Sequence, residues 1–168
     1  MHIKQLSPNG YAVSAAFDQD TVESIIQQID TFECHCTRPG GNPQAGHRET
    51  LSVLDTFDRT ALYKIIQQID TDIDIISIEL WRDYPGYTNA DHYDAPDVGN
   101  IMILYFGNGS DDLGTRWYDP DEFIVPYKIN TGLILLNSSQ ILHGLQGEVV
   151  ECDYRRAMYV NWRNLAKT

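Results

Sequence analysis

His92-Tyr93-Asp94 sets an imidazole and a carboxylate two residues apart. On extended backbone, residues i and i+2 share a face with Cα atoms about 6.6 Å apart, so one metal ion can take both side chains. His143 follows 51 residues after His92, just beyond an apolar run at 133–136. Strand pairing could return it to the same pocket. Two His and one carboxylate on one octahedral face leave three positions open, the ligand set suited to Fe(II) oxygen chemistry. By themselves these residues are weak evidence, since they also fit a polar turn flanked by Asn89, Asp91 and Pro96, and a satisfied, partly buried histidine at 143.

The elements that must position these groups follow from hydrophobic periodicity. Val22, Ile25, Ile26 and Ile29 recur at three-to-four spacing behind the capping candidates Asp18 and Asp20, and predict a helix over 21–30. Leu62, Ile65, Ile66 and Ile69 predict a second over 60–70. The heptapeptide at 25–31 is repeated letter for letter at 65–71, but the flanks differ, so it reads as two similar helices and not as a duplicated unit. Between them, residues 37–50 carry Pro39, Gly40, Gly41, Asn42, Pro43 and Gly46, which predict a loop. Beyond residue 72 the pattern changes to short runs rich in Ile, Val, Tyr and Trp, at 73–81, 99–106, 115–118, 122–125, 133–136, 148–151 and 157–162. Helices first and many short strands afterwards predict an α+β, mainly β chain: a double-stranded β-helix (jelly roll) core over about 73–165, buttressed by helices within about 1–72.

The 168 residues, 42% of them apolar, suit one domain spanning 1–168. A net charge of −12 with only 12 Lys and Arg argues against nucleic acid, whose phosphates demand cations. No run approaches the roughly 20 apolar residues that span a bilayer, and the start of the chain lacks a signal peptide's apolar stretch, so no membrane and a cytoplasmic location are expected. Three cysteines, Cys34, Cys36 and Cys152, suggest reduced thiols.

Other clusters are weaker. Cys34, His35, Cys36 and His47 offer four zinc-type ligands without the paired spacing of structural zinc sites. The acidic runs at 70–74 and 119–122 lack the pattern of a calcium loop. Arg82, Arg116 and Trp117 are candidates for substrate contact or for surface pairing with nearby Asp residues.

An ordered set runs through residues 78–163: Tyr84-Pro85-Gly86, His92-Tyr93-Asp94-Ala95-Pro96, the apolar run 101–106, Gly114-Thr115, 132–136, His143-Gly144 and Arg155-Arg156-Ala157-Met158-Tyr159-Val160. In this order and spacing the chain resembles the 2-oxoglutarate and Fe(II)-dependent oxygenases, most of all the prolyl hydroxylase branch. Phe106 falls where some prolyl hydroxylases carry tyrosine. The likeness implies Fe(II) on His92, Asp94 and His143, with O2 and 2-oxoglutarate as co-substrates. It implies Arg155, through the pattern Arg-x-Ala, as partner of the distal carboxylate, with Arg156 the alternative. Tyr84 would hydrogen-bond the co-substrate, and Leu104 and Met102 would line its pocket. The activity implied is hydroxylation of a C–H bond, with prolyl or another peptidyl side chain the leading substrate and a small molecule the alternative, and release of succinate and CO2. Outside the enzymes, a jelly-roll module that binds metal or an organic acid without catalysis is the rival reading.

Overall fold

A computed structural model describes residues 1–33, 36–39, 47–110, 113–145, 147–149 and 154–167. Asp18 accepts from the Thr21 backbone N–H at 2.8 Å and so caps α1 (Gln19–Thr31), whose apolar stripe of Val22, Ile25 and Ile29 is buried. Helix α2 (Thr60–Ile66) buries Leu62, Ile65 and Ile66. It stops short of the expected residue 70.

The strands are β1 (His2–Gln5), β2 (Gly10–Ser14), β3 (Cys36–Pro39), β4 (His47–Ser52), β5 (Ile73–Asp83), β6 (Asn100–Tyr105), β7 (Thr115–Tyr118), β8 (Glu122–Val125), β9 (Thr131–Leu135), β10 (Leu142–Leu145) and β11 (Arg155–Asn164). They form an eight-stranded sheet of order β1-β2-β9-β6-β11-β5-β4-β3 and a three-stranded sheet of order β10-β7-β8, all antiparallel where paired. This is the mainly β, double-sheet core expected.

The first 72 residues do more than lend helical support. They supply four strands, two at each edge of the large sheet. The loop expected over 37–50 is correspondingly narrower, because Cys36–Pro39 and His47–Ser52 pair as strands. Residues 40–46 lie outside the described residues, as do Cys34, His35, Cys152, residues 150–151 of the expected strand at 148–151, and the side chain of Cys36. The strand carrying His143 is an addition, since Leu142–Leu145 is too short and too mixed to announce itself.

Alternation along the large sheet feeds two cores. Met102, Leu104, Phe106, Met158, Val160 and Trp162 pack with α1 and α2 on one face. Ile101, Ile103, Tyr105, Leu133, Leu135 and Ala157 face the small sheet. Both faces are covered, which explains why these strands read as nearly continuous apolar runs. Among the described residues no helix is long and apolar enough to cross a membrane.

Candidate active site

His92 and His143 are joined by a single antiparallel bridge. The His92 N–H donates to the His143 carbonyl at 2.8 Å, and the His143 N–H donates back at 3.0 Å. The pair is thereby held side by side, with ring centroids 4.7 Å apart. Each ring uses Nδ1 against a carbonyl two residues earlier, Ala90 at 2.9 Å for His92 and Ile141 at 2.8 Å for His143. With the proton on Nδ1, Nε2 is left as a lone pair. Both Nε2 atoms point at one carboxylate: His92 lies 3.6 Å from Asp94 Oδ1 and His143 3.5 Å from Asp94 Oδ2.

Among the described residues these three form a group whose ligand atoms all lie within 4.8 Å of one another. Octahedral ligands about 2.1 Å from a metal sit about 3 Å apart, so a small closure brings these atoms onto one ion. A further observation fits a metal. Asp94 Oδ2 is buried without a hydrogen-bond partner, an arrangement that is costly unless something else satisfies the oxygen. Burial alone would raise the Asp94 pKa, but His92 and His143 outweigh it, and the carboxyl is held below its ordinary range. Burial pushes the His143 pKa down, keeping that ring neutral, whereas Asp94 pulls His92 up.

Gly144 makes the crossing possible. A Cβ there would meet Asp91 Oδ1 at 2.7 Å and the Asn89 carbonyl at 2.9 Å, so the segment leading into His92 lies directly on this glycine.

The triad opens onto a cavity of about 450 Å³, which also holds Arg48, Trp81, Tyr87, Thr115, Tyr159 and Arg155. Arg155 is 3% exposed and points inward, while Arg156 turns outward to pair with Asp30 at 2.6 Å. The Arg155 Nε donates to the Leu113 carbonyl at 3.0 Å and its Nη1 to Asp83 at 2.9 Å. Arg48, from β4, holds the same Asp83 through Nε at 2.6 Å and Nη2 at 3.0 Å. It stacks 3.6 Å above the Trp81 ring and 4.6 Å from Tyr87. Asp83 is fully buried. Burial would raise its pKa, but the two guanidinium groups outweigh this and hold it below the ordinary carboxylate range.

Three expected cavity residues are not brought there. Leu104 belongs to the helix-side core, as does Met102, because strand alternation turns Ile101 and Ile103 to the cavity instead. Tyr84 donates to Glu49 at 2.9 Å and stacks on His47 at 4.6 Å, away from the cavity lining. Phenols do reach the site from other positions. Tyr87 lines it, and the Tyr105 ring lies 5.0 Å from the Arg155 guanidinium with its hydroxyl donating to Thr115 at 2.6 Å. Phe106, one residue on, packs with Phe17 on the helix side.

The remaining candidates have structural roles. Arg82 binds Glu49 and the carbonyls at the end of α1. Trp117 is buried and donates to Ser7 at 3.1 Å, and Arg116 pairs with Asp91. Asp70 and Asp119 accept hydrogen bonds within the fold. Arg48 and Asp83 were not foreseeable as partners, since 35 residues separate them; the signal, a lone Arg beside a Gly/Pro-rich segment, is too common to select.

The large sheet, the small sheet and the position of the triad between them can be compared with solved structures. A non-haem α-ketoglutarate-dependent epimerase, SnoN from nogalamycin biosynthesis, superposes with a TM-score of 0.74 over 93% of this chain and 78% of its own, at 10% identity. An oxidoreductase of the 2OG-Fe(II) oxygenase family from Burkholderia pseudomallei matches at 0.71 over 93% and 86%, at 13% identity. The fold is that of the 2-oxoglutarate/Fe(II) oxygenases. The collagen prolyl hydroxylase of Paramecium Bursaria Chlorella virus-1, in complex with 2OG, shares this fold at a TM-score of 0.67 over 94% of this chain and 97% of its own, at 11% identity. No family model matches the chain, and no curated protein matches it by sequence.

Proposed function

We propose that the protein is a 2-oxoglutarate-dependent Fe(II) oxygenase that hydroxylates a C–H bond. The observation that carries this reading is the convergence of two Nε2 lone pairs and an otherwise unsatisfied buried carboxylate oxygen at one wall of a cavity that also holds a buried guanidinium. His92, Asp94 and His143 would hold the metal. Iron with 2-oxoglutarate and O2 supplies oxidative decarboxylation to succinate and CO2 coupled to hydroxylation.

The chain's own residues bind and orient. Arg155, already fixed by Asp83 and the Leu113 carbonyl, would receive the distal carboxylate of 2-oxoglutarate. The Nδ1 hydrogen bonds keep both imidazoles in the metal-binding tautomer. A cavity of about 450 Å³ lies beside the triad and would hold the co-substrate. A peptidyl side chain, prolyl among them, is the substrate class favoured by the likeness to the viral collagen prolyl hydroxylase, with a small molecule the alternative suggested by the epimerase.

The test is anaerobic titration with Fe(II) and then 2-oxoglutarate. A charge-transfer absorption band should appear in the wild type and not in His143→Ala, and succinate should form in air. A wild-type protein that gives neither band nor succinate would overturn the reading in favour of a non-catalytic binding module.

A further inference from the structure

A second guanidinium shares the end of the cavity where Arg155 lies. Arg48 Nη2 and Arg155 Nη1 donate to the same oxygen, Asp83 Oδ2, at 3.0 and 2.9 Å. The two forks therefore converge on one point although they come from β4 and β11, two strands that are not neighbours in the sheet. Arg48 has spent Nε and Nη2 on Asp83, and Arg155 has spent Nε on the Leu113 carbonyl and Nη1 on Asp83. Arg48 Nη1 has no hydrogen-bond partner among the described residues, the Arg155 guanidinium has the Tyr105 hydroxyl as a further neighbour, and both arginine side chains line the cavity.

The chemistry of this arrangement is that of a carboxylate receptor. Two guanidiniums balanced by one buried carboxylate carry one net positive charge, which a single anionic group neutralises. An unspent Arg48 N–H group beside a second guanidinium suits the oxygens of such a group. Trp81 and Tyr87 hold the face of Arg48, so its edge is oriented before any ligand arrives.

We propose that Arg48 is a second direct ligand of the co-substrate's distal carboxylate, and that Asp83 is the positioning residue that aims both arginines at it. This rests on the oxygenase reading above. It makes co-substrate affinity depend on the edge strand β4 as well as on β11.

The experiment compares two keto acids that differ at one end. Binding of 2-oxoglutarate and of 2-oxopentanoate, which has a methyl group where the other has its distal carboxylate, is measured by calorimetry on the Ni(II)-loaded protein, for wild type, Arg48→Gln and Arg48→Lys. Losing a charged hydrogen-bonding partner should weaken 2-oxoglutarate by about tenfold or more in Arg48→Gln and leave 2-oxopentanoate unchanged. Arg48→Lys keeps the charge and the packing stem but not the fork. It should fold even if Arg48→Gln does not, and it should show the same selective loss. Equal weakening of both acids, or of neither, would overturn the proposal while leaving the oxygenase reading intact. A wild-type protein that binds neither acid would overturn both.

Discussion

Asp91 Oδ1 accepts from Arg116 Nε at 2.8 Å, fastening the segment that carries His92 and Asp94 to strand β7. The pair is partly exposed, and such pairs contribute little, about 0.2–1 kcal/mol. Arg116→Gln should therefore lower Ni(II) or Fe(II) affinity by no more than about fivefold, read by calorimetry, with the fold unchanged. A loss of several orders of magnitude would mean that Arg116 touches the bound metal's other ligands, contrary to its placement here.

Gly144 is a sharper constraint. A methyl group there has no room against Asp91 and Asn89, and two of its three nearest contacts are backbone atoms. Gly144→Ala should cost about 1–3 kcal/mol in stability and also separate His92 from His143, since overpacked sites relieve strain by moving backbone. Thermal unfolding with and without Ni(II) should show a lower Tm and a diminished metal-induced rise. An unchanged rise would show that the two strands part elsewhere.

Metal should stabilise the wild type and chelation should reverse the effect. A ligand at a hundred times its Kd adds about 2.7 kcal/mol to folding stability, which His143→Ala should abolish. A full metal-induced shift in that variant would remove His143 from the ligand set.

Asp83 sits between two arginines with no exposed surface. Asp83→Asn should be strongly destabilising, by about 3–5 kcal/mol, because it strands buried cations. The pH dependence has a definite sign. The folded carboxyl titrates below its ordinary value, so its contribution is present above the unfolded value of about 3.9 and is lost as pH falls through the lower folded value. Denaturant unfolding between about pH 5 and pH 2 should be less steeply pH-dependent in Asp83→Asn than in the wild type. Parallel curves would refute the shift.

Leu104 and Ile103 separate the two cores. Leu104→Ala should cost about 2–5 kcal/mol by opening a cavity under the helices, yet leave 2-oxoglutarate affinity within about twofold because the site is on the other face. Ile103→Ala should alter that affinity. The reverse pattern would place Leu104 in the pocket after all.

Part of this was legible in the sequence. A His-x-Asp pair and a distant His suggest a metal site, the ordered family resemblance adds an Arg for an anion, and the change from three-to-four periodicity to short apolar runs marks helices followed by a β core. The repeated heptapeptide shows where such reading stops. Residues 25–31 are wholly helical and leave Asp30 exposed to pair with Arg156. The same letters at 65–71 leave the helix after Ile66 and bury Asp70 beneath Asn100, Trp162 and Asn164. Propensity is identical, so tertiary contacts decide.

The same holds within the site. Adjacent residues on β6 and β11 go to opposite faces, and both faces are buried. Hydrophobicity therefore could not say whether Leu104 or Ile103 meets the cavity; for Arg155 against Arg156 the motif favoured Arg155, and Arg155 is the one whose side chain turns inward. Register settled it. Arg155 lies opposite Asp83, and Asp83 opposite Arg48, so a buried carboxylate between two cations selects the inward face. That contact joins residues 35 and 72 positions apart, and only the folded sheet brings them together, because pairing between distant strands is a property of the whole topology and of no single segment.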